Sequence, residues 1–323
     1  MATDKESATP APPEKIAMQS TEFIKGIIPA VITPMTEEEE LDEAGLEKLL
    51  DHLIKSGVDG VFTVGTAGEF WALTVEEKKR VFELTVTCAK GHVPAYVGTC
   101  ANTTREAVQL AEIAQEAGVD CISVLTPSFI TPDRDQMFAH YQTIAGAVDL
   151  PILLYGNPDR TNNPLPVDLV VRLAEEVENI IGIKDSSGDM GNTAEYLRNT
   201  PDDFRVLMGR DTLIYGALTH GASGAIAASA NLAPELSVEI YQNFIQGNLD
   251  ESLAAQRRLA PLRLVFPLGT FPAMLKTGAE LMGLPAGPPR APVGRLTDAE
   301  RQKLRDVLVQ MGKLEAETRE TPA

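Results

Sequence analysis

Residues 179–188 read NIIGIKDSSG, and this stretch predicts a buried strand that ends in a lysine. Four apolar or small residues at 180–183 run directly into Lys184, and polar residues then end the run. A continuous apolar run bounded by turn-forming residues is typical of a strand buried on both faces of a parallel sheet. We therefore expect Lys184 at a buried strand end, where desolvation lowers the pKa of its ammonium group.

A lysine that loses its proton easily can attack a carbonyl carbon and form a Schiff base. The alternative is structural, because strand ends often carry charge: Lys184 then reaches solvent or pairs with Asp185. For the lysine alone the structural interpretation is favoured. Whether Lys184 is catalytic therefore depends on the other residues predicted to lie near it.

The composition of the chain excludes several classes of protein. Its 323 residues, of which 44% are hydrophobic, suffice for one large barrel or two ordinary domains. A formal net charge of −18 argues against nucleic acid or an anionic membrane as a partner. No apolar run is long enough to span a bilayer. No histidine and carboxylate group has metal-ligand spacing, so we expect no metal site.

Cysteine usage predicts a reducing compartment. Cys88, Cys100 and Cys121 are odd in number and form no C-x-x-C pair, which is typical of reduced thiols in a cytoplasmic protein.

One sequence pattern repeats from Gly26 to Gly247: short Val/Ile/Leu-rich runs alternate with longer amphipathic segments. The predicted strands cover 27–33, 60–64, 94–98, 121–125, 151–155, 180–184, 204–208 and 224–228. The predicted helices cover 42–56, 75–90, 104–118, 134–148, 167–177, 191–199, 211–220 and 234–246. Eight such units predict an α/β fold, a closed parallel (β/α)8 TIM barrel. An open doubly wound sheet is the alternative, but its phosphate loop is absent after the first strand, where the sequence is TPMTEEEE.

The chain is divided into three parts by this pattern. Residues 1–22 are rich in Pro, Ala, Ser, Thr and charge, and are predicted to be a disordered tail. A short organellar transit peptide is the alternative, which the acidic residues and the lack of arginine disfavour. Residues 23–247 form the predicted catalytic barrel. Residues 248–323 are predicted to be a C-terminal helical region packed on the barrel, with helices over 250–265, 272–282 and 297–312 and a frayed end at 314–323.

Polar side chains follow several predicted strands at the barrel rim where catalysis is expected. The second strand leads into residues 65–69 (GTAGE), the fifth ends in Tyr155 and leads to Arg160, and the sixth ends in Lys184. A phenol beside an amine can move protons in Schiff-base chemistry, and the Thr66 hydroxyl can relay them. Backbone amides of the glycine-containing loop can bind a carboxylate, and Arg160 can bind a second one. Each residue alone has an ordinary structural explanation, but together they favour an active site.

These residues lie in stretches that resemble the pyruvate-dependent class I aldolase superfamily, which includes dihydrodipicolinate synthase and N-acetylneuraminate lyase. The matching stretches are VGTAGEFWALTVEEK (64–78), LPILLYGNPDRT (150–161), NIIGIKDSSGD (179–189) and, more weakly, GASGAIAASANLAPE (221–235). The similarity extends from about residue 26 to 311. It implies a (β/α)8 barrel with a helical C-terminal part, and a Schiff base between Lys184 and a 2-oxo acid, usually pyruvate. It implies no cofactor beyond that covalent imine.

The resemblance also assigns roles to the other residues. Tyr155 would be the general acid and base, while Thr66 and the amide of Ala67 would bind the carboxylate of pyruvate. Ile226 would line the pyruvate pocket. Arg160 matches the arginine that binds the carboxylate of the aldehyde substrate in the synthases.

Two departures from the synthase pattern concern the substrate. Ala67 replaces the second threonine of the usual Thr-Thr pair. Residues 126–130 read TPSFI where synthases have T-P-Y-Y-N, so Ser128 and Phe129 replace two tyrosines. In that family the second tyrosine completes a proton relay across a subunit interface, and Phe129 has no hydroxyl. Arg160, with Ser128 nearby, is expected to help select the second substrate, and Phe129 is counted with them among the expected substrate-binding residues.

The resulting hypothesis is a Schiff-base-forming lyase or synthase that condenses pyruvate with an aldehyde or cleaves the corresponding 2-oxo acid, as dihydrodipicolinate synthase does. The alternative enzyme is a 2-keto-3-deoxy sugar-acid aldolase or dehydratase, which residues 68–70 (GEF) and 228–231 (ASAN) favour. A third hypothesis is a barrel that binds a 2-oxo acid without turnover, although such a sensor would have lost the lysine or the tyrosine. The resemblance also implies a homotetramer built from dimers.

Overall fold

A computed structural model of the chain describes residues 21–316 and contains one sheet of eight strands. The strands are β1 (Gly26–Pro29), β2 (Val61–Thr63), β3 (Ala95–Gly98), β4 (Cys121–Leu125), β5 (Ile152–Gly156), β6 (Ile180–Asp185), β7 (Arg205–Met208) and β8 (Gly224–Ala227). The barrel helices are α1 (Glu43–Lys55), α2 (Val75–Ala89), α3 (Thr104–Ala117), α4 (Arg134–Ala145), α5 (Pro158–Thr161), α6 (Val167–Glu176), α7 (Met190–Asn199), α8 (Ile214–Thr219) and α9 (Pro234–Ile245). They are followed by α10 (Leu249–Leu264), α11 (Ala273–Leu281) and α12 (Asp298–Gln310).

The strand order confirms the predicted (β/α)8 barrel. Neighbouring strands are parallel, in the order β1-β8-β7-β6-β5-β4-β3-β2. The two ends of this sheet meet where the Val31 amide donates to the Phe62 carbonyl at 2.8 Å, beside a parallel bridge between Ala30 and Phe62. The barrel is therefore nearly closed, and all eight carboxyl ends lie on one rim.

Strand β6 follows directly from the apolar run in the sequence. All six of its residues are buried, as a strand enclosed between barrel core and helices must be. Gly182 interrupts the branched residues because a Cβ atom there would lie 2.4 Å from the backbone oxygen of Arg205 on β7. The glycine therefore lets β6 and β7 pair closely and sets Lys184 at the rim.

The predicted helix over 211–220 is only partly correct, because the structure has a 3-10 turn over Asp211–Leu213 followed by α8. The Asp211 carboxylate accepts hydrogen bonds from the amide and hydroxyl of Ser229, at 2.9 and 2.7 Å, and this tertiary contact accompanies the tighter first turn. The short helix α5 was missed, since four residues that begin with a proline are too few to show a helical period.

The C-terminal helices contact the rim that carries the predicted site. Gln256 on α10 donates to the Asp211 carbonyl and accepts from the Tyr215 amide, both at 2.9 Å. Lys276 on α11 forms a fully buried ion pair with Glu69 at 2.6 Å. The domain boundary at residue 247 stays a prediction.

The predicted tail over residues 1–22 lies outside the described residues except for Thr21 and Glu22, which belong to a 3-10 helix (Thr21–Phe23). Within residues 21–316, no helix combines the length and the apolar character needed to cross a bilayer.

Candidate active site

A cavity of about 270 Å³ opens at the carboxyl ends of the strands. Its walls come from several strand–helix loops and from α10, which belongs to the C-terminal helices. The lining residues are Ala30, Thr66, Ala67, Tyr155, Asn157, Asp159, Arg160, Lys184, Ser186, Gly209, Arg210, Ile226, Ala228 and Arg263. Six of the eight predicted site residues are among them.

Lys184 lies on β6, where the strand register sets it beside Tyr155 on β5. Its side chain is 3% exposed, and its Nζ lies 4.2 Å from the ring centroid of Tyr155 and 4.8 Å from that of Phe62. Aromatic faces stabilise an ammonium group but accept no proton from it. Among the described residues Nζ makes no hydrogen bond and no ion pair, so the amine is available to a carbonyl compound in the cavity.

The Tyr155 phenol is held by two polar side chains. Its oxygen lies 3.1 Å from the Thr66 hydroxyl, and the Asn157 side-chain amide donates to it at 3.1 Å. Burial alone would raise the pKa of Tyr155, but the Lys184 ammonium and the hydrogen bonds from Thr66 and Asn157 outweigh burial and lower it. A phenol whose pKa is lowered toward neutral is better suited to exchange a proton with a reacting group near neutral pH.

The loop after β2 holds Thr66 and Ala67 in a strained backbone. Val64 and Glu69, on either side of them, have φ angles of 53° and 56°. A branched residue in the left-handed region is an outlier, and such residues cost about 1–3 kcal/mol each. Within residues 21–316 the amides of Thr66 and Ala67 have no hydrogen-bond acceptor. Both N–H groups are therefore available to a carboxylate.

Ionic contacts from the C-terminal helices stabilise this loop. The carboxylate of Glu69 is fully buried, and it pairs with Lys276 and accepts from the Arg290 amide at 2.9 Å. The guanidinium of Arg290 also pairs with Glu77 on α2 at 2.7 Å. These contacts connect the strained loop to helix α11 and the segment after it.

Arg160 and Ile226 also line the cavity. Arg160 lies on α5 with its Cζ 4.8 Å from the ring centroid of Phe271, and Ile226 lies on β8 with 1% of its surface exposed. The contacts expected of them with substrate stay predictions.

Ser128 and Phe129 do not line the cavity of this chain. Ser128 donates to the Asn102 side-chain oxygen through both its amide and its hydroxyl, each at 2.9 Å. Phe129 is 99% exposed and has a φ of 72°. The structure therefore separates these two residues from the other six.

Eight lining residues were not predicted as site residues, among them Asn157, Arg210 and Arg263. Asn157 and Arg210 follow the ends of β5 and β7, so their position on the rim was a usable signal. Arg263 lies in α10, and nothing in its local sequence indicates that this helix returns to the cavity.

Comparison with known proteins identifies the family. A sequence model described as the dihydrodipicolinate synthetase family matches residues 23–311. The chain is 38% identical over 298 residues to a 4-hydroxy-tetrahydrodipicolinate synthase of Methanothrix thermoacetophila, covering 92% of this chain and 100% of that one. It is 38% identical over 286 residues to the enzyme of the same name from Archaeoglobus fulgidus, covering 88% and 98%.

Solved structures agree with this result. The dihydrodipicolinate synthase from Aquifex aeolicus superposes with a TM-score of 0.87 at 32% identity, covering 91% of this chain and 100% of that one. YagE from E. coli K12, a protein of the dihydrodipicolinic acid synthase family in complex with pyruvate, superposes with a TM-score of 0.88 at 32% identity, covering 90% and 99%.

Proposed function

This chain belongs to the dihydrodipicolinate synthetase family, and we propose that it joins pyruvate to an aldehyde, or cleaves the corresponding 2-oxo acid, through a Schiff base on Lys184. It is an enzyme of the lyase and synthase class of that family. One observation carries the proposal: the Lys184 amine contacts the ring of Tyr155, and the hydroxyl of Tyr155 is hydrogen-bonded to the Thr66 hydroxyl.

The first step forms the imine. The neutral amine of Lys184 attacks the ketone carbon of pyruvate, and Tyr155 donates a proton to the resulting hydroxyl, which leaves as water. The Thr66 hydroxyl can donate its hydrogen bond to the phenolate that remains, which is then ready to accept a proton in the next step. The hydrogen bond from Asn157 holds the phenol in place as its charge changes.

The second step forms the carbon–carbon bond. The Tyr155 phenolate takes a proton from the methyl group of the iminium, which gives an enamine, and the enamine carbon adds to the carbonyl carbon of the aldehyde. The aldehyde oxygen takes up the proton that Tyr155 carries, and water then hydrolyses the imine and frees Lys184. Cleavage of a 2-oxo acid follows the same steps in reverse.

The pyruvyl group needs an anchor for its carboxylate and an apolar wall. The free amides of Thr66 and Ala67 provide donors, since an ionised acceptor makes stronger hydrogen bonds than a neutral one. Ile226 supplies the apolar wall on the β8 side of the cavity.

The proposal also concerns the identity of the second substrate, which reacts with the pyruvyl enamine. The curated relatives are named 4-hydroxy-tetrahydrodipicolinate synthase, which favours aspartate semialdehyde with its carboxylate on Arg160. Phe129 favours the alternative, a 2-keto-3-deoxy sugar acid, because it lacks the phenol that the synthases bring to the site. Turnover of pyruvate with aspartate semialdehyde, compared with cleavage of 2-keto-3-deoxy-gluconate, separates the two.

The Schiff base is tested by incubating the enzyme with pyruvate and borohydride, followed by peptide mass spectrometry. We expect a stable pyruvyl adduct on Lys184 and none in a Lys184→Met variant. Lys78, which is 5% exposed and does not line the cavity, is an internal control that should stay unmodified. If no 2-oxo acid gives an adduct, the Schiff-base proposal is wrong and the non-catalytic sensor takes its place.

We also propose a homo-oligomer, a tetramer in the family's pattern. Phe129 is a large apolar side chain that is 99% exposed, which supports a subunit interface at the loop between β4 and α4. Light scattering of the wild type and a Phe129→Ser variant tests this, and a monomeric wild type would contradict it. A cytoplasmic location is consistent with three unpaired cysteines and stays a prediction.

A further inference from the structure

The Tyr155 phenol is hydrogen-bonded from two sides by residues of its own chain. The Thr66 hydroxyl lies 3.1 Å from the phenol oxygen, and the side-chain amide of Asn157 donates to the same oxygen at 3.1 Å. All three side chains are buried and line the cavity. Among the described residues, the phenol oxygen is the one acceptor of the Asn157 side-chain amide. The contact of this amide is therefore made to the atom that transfers the proton.

The position of Asn157 in the fold shows that this contact is not a by-product of helix capping. Asn157 is the N-cap residue of α5, where an asparagine side chain usually accepts a hydrogen bond from the first turn of the helix. Here the side chain makes no capping bond. The amides of Arg160 and Thr161 donate instead to the Asn157 backbone carbonyl, at 3.0 and 3.1 Å. The side chain is thereby left to bond the phenol.

A second copy of this chain has no phenol to bring to the cavity. In the family's synthases a tyrosine of the loop after β4 completes the relay from the partner subunit, but Phe129 stands there in this chain. The chain has six tyrosines, all within residues 21–316. Half-buried Tyr215 packs against Phe244, and the others are buried: Tyr96, Tyr141, Tyr155, Tyr196 and Tyr241. None is an exposed side chain that could reach into a neighbouring subunit.

The Asn157 contact favours the charged form of Tyr155. An amide N–H can only donate, so its bond to a phenolate is stronger than its bond to a neutral phenol. Burial raises the pKa of Tyr155, whereas the Lys184 ammonium and the hydrogen bonds from Thr66 and Asn157 lower it overall. Asn157 thus stabilises Tyr155 in the state that acts as the base.

We propose that Asn157 is a positioning residue that stabilises the Tyr155 phenolate in place of a partner subunit's phenol, so that the proton-transfer site is complete within one subunit. This inference rests on the proposed function and names a further residue for its reaction. The proton of the iminium methyl group moves to the phenolate oxygen, and the C–H electron pair becomes the double bond of the enamine. Asn157 keeps both of its N–H protons throughout.

Exchange of the pyruvate methyl protons with D2O, followed by NMR, tests the proposal without a second substrate. Asn157→Leu removes the donor at similar volume. Near neutral pH we expect kcat for exchange to fall about 10- to 100-fold, the usual effect of losing a hydrogen bond to a charged group. The acid limb of the kcat profile should move up by about 1–2 pH units, because one pKa unit is a tenfold change. A merely structural role would lower kcat by the same factor at every pH.

Two further variants control for packing. Asn157→Gln keeps the N–H donors and should recover part of the loss, and the KM for pyruvate should change less than about 2-fold in either Asn157 variant. Asn192→Leu is the matched control, because Asn192 on α7 hydrogen-bonds another phenol, that of Tyr196, and does not line the cavity. Its exchange rate and its acid limb should be those of the wild type.

A titration separates this inference from the proposed function. Ultraviolet difference titration of the wild type and Asn157→Leu, each against the same protein with Tyr155→Phe, measures the pKa of Tyr155 without turnover. We expect a higher pKa in Asn157→Leu, and an unchanged pKa or a pH-independent loss of exchange overturns the proposal. If the wild type forms no pyruvyl adduct and exchanges no protons, the proposed function fails, while the titration still decides whether Asn157 stabilises the phenolate.

The independence of each subunit is tested at the loop after β4. Ile130 is 50% exposed beside Phe129, so Ile130→Asp places a charge in any interface that this loop forms. Light scattering gives the assembly state of the wild type and of the variant, and the exchange rate per subunit is measured on the same samples. Equal rates per subunit, with the same acid limb, support the proposal. A rate that falls in Ile130→Asp, with the acid limb moved up as in Asn157→Leu, overturns it.

Discussion

Replacing Lys276 with methionine should lower the free energy of unfolding by about 3–5 kcal/mol, the usual cost of leaving one partner of a buried ion pair alone. Lys276 is 1% exposed and its partner Glu69 is fully buried, with 2.6 Å between Nζ and Oε1. The same Nζ donates to the Pro288 carbonyl at 2.7 Å. Methionine fills similar volume but leaves both acceptors without their donor.

The double variant Lys276→Met/Glu69→Gln isolates the charge from the packing. A neutral amide at position 69 still accepts from the Arg290 amide. Because no stranded charge remains, we expect the double variant to be more stable than Lys276→Met alone. The pair also holds the loop with Thr66, so Lys276→Met should raise the KM for pyruvate more than the double variant does.

Urea unfolding followed by circular dichroism measures these differences, with Lys55→Met as the matched control. Lys55 pairs with Asp51 at 2.7 Å on the surface, where its side chain is 74% exposed. Such a pair contributes at most about 1 kcal/mol. If Lys276→Met costs no more than Lys55→Met, or if the double variant is less stable than Lys276→Met, the reasoning from the buried charge is wrong.

Three further predictions concern the site and its pH dependence. Tyr155→Phe should lower kcat by about 10²- to 10⁴-fold, the usual contribution of general acid–base catalysis, and a loss under about 10-fold would contradict the proton relay. Lys184→Met should raise the pKa of Tyr155, because the ammonium that lowers it is gone. Ultraviolet titration against the Lys184→Met/Tyr155→Phe double variant checks this, and a phenol that titrates as in the wild type would refute it. Hydrogen bonds from Arg290 lower the pKa of Glu77 below 4.5, so the unfolded state binds its proton more tightly. That stabilisation is present above pH 4.5 and is lost as the pH falls through the folded-state pKa. Glu77→Gln should therefore flatten the acid limb of the stability curve, which denaturant titrations across that limb measure.

Only part of the site could be found by reading along the chain. Lys184 and Tyr155 each end a local apolar run, and parallel pairing places the ends of neighbouring strands side by side. Asn157 and Arg210 carried the same signal, because they follow strand ends. Ser128 donates two hydrogen bonds to Asn102 and does not line the cavity, and its expected role near the second substrate stays a prediction.

The sequence by itself determined the eightfold alternation, the barrel and the rim on which the lysine, the phenol and the hydroxyl meet, because strand and helix periods are local properties of the chain. Only the tertiary structure decided that Arg263 lines the cavity, and that Lys276 on α11 forms a buried ion pair with Glu69 in the loop after β2. These contacts join segments far apart in the chain, across loops whose closure no short pattern specifies. They depend on how the C-terminal helices pack onto the rim, which is a property of the whole fold.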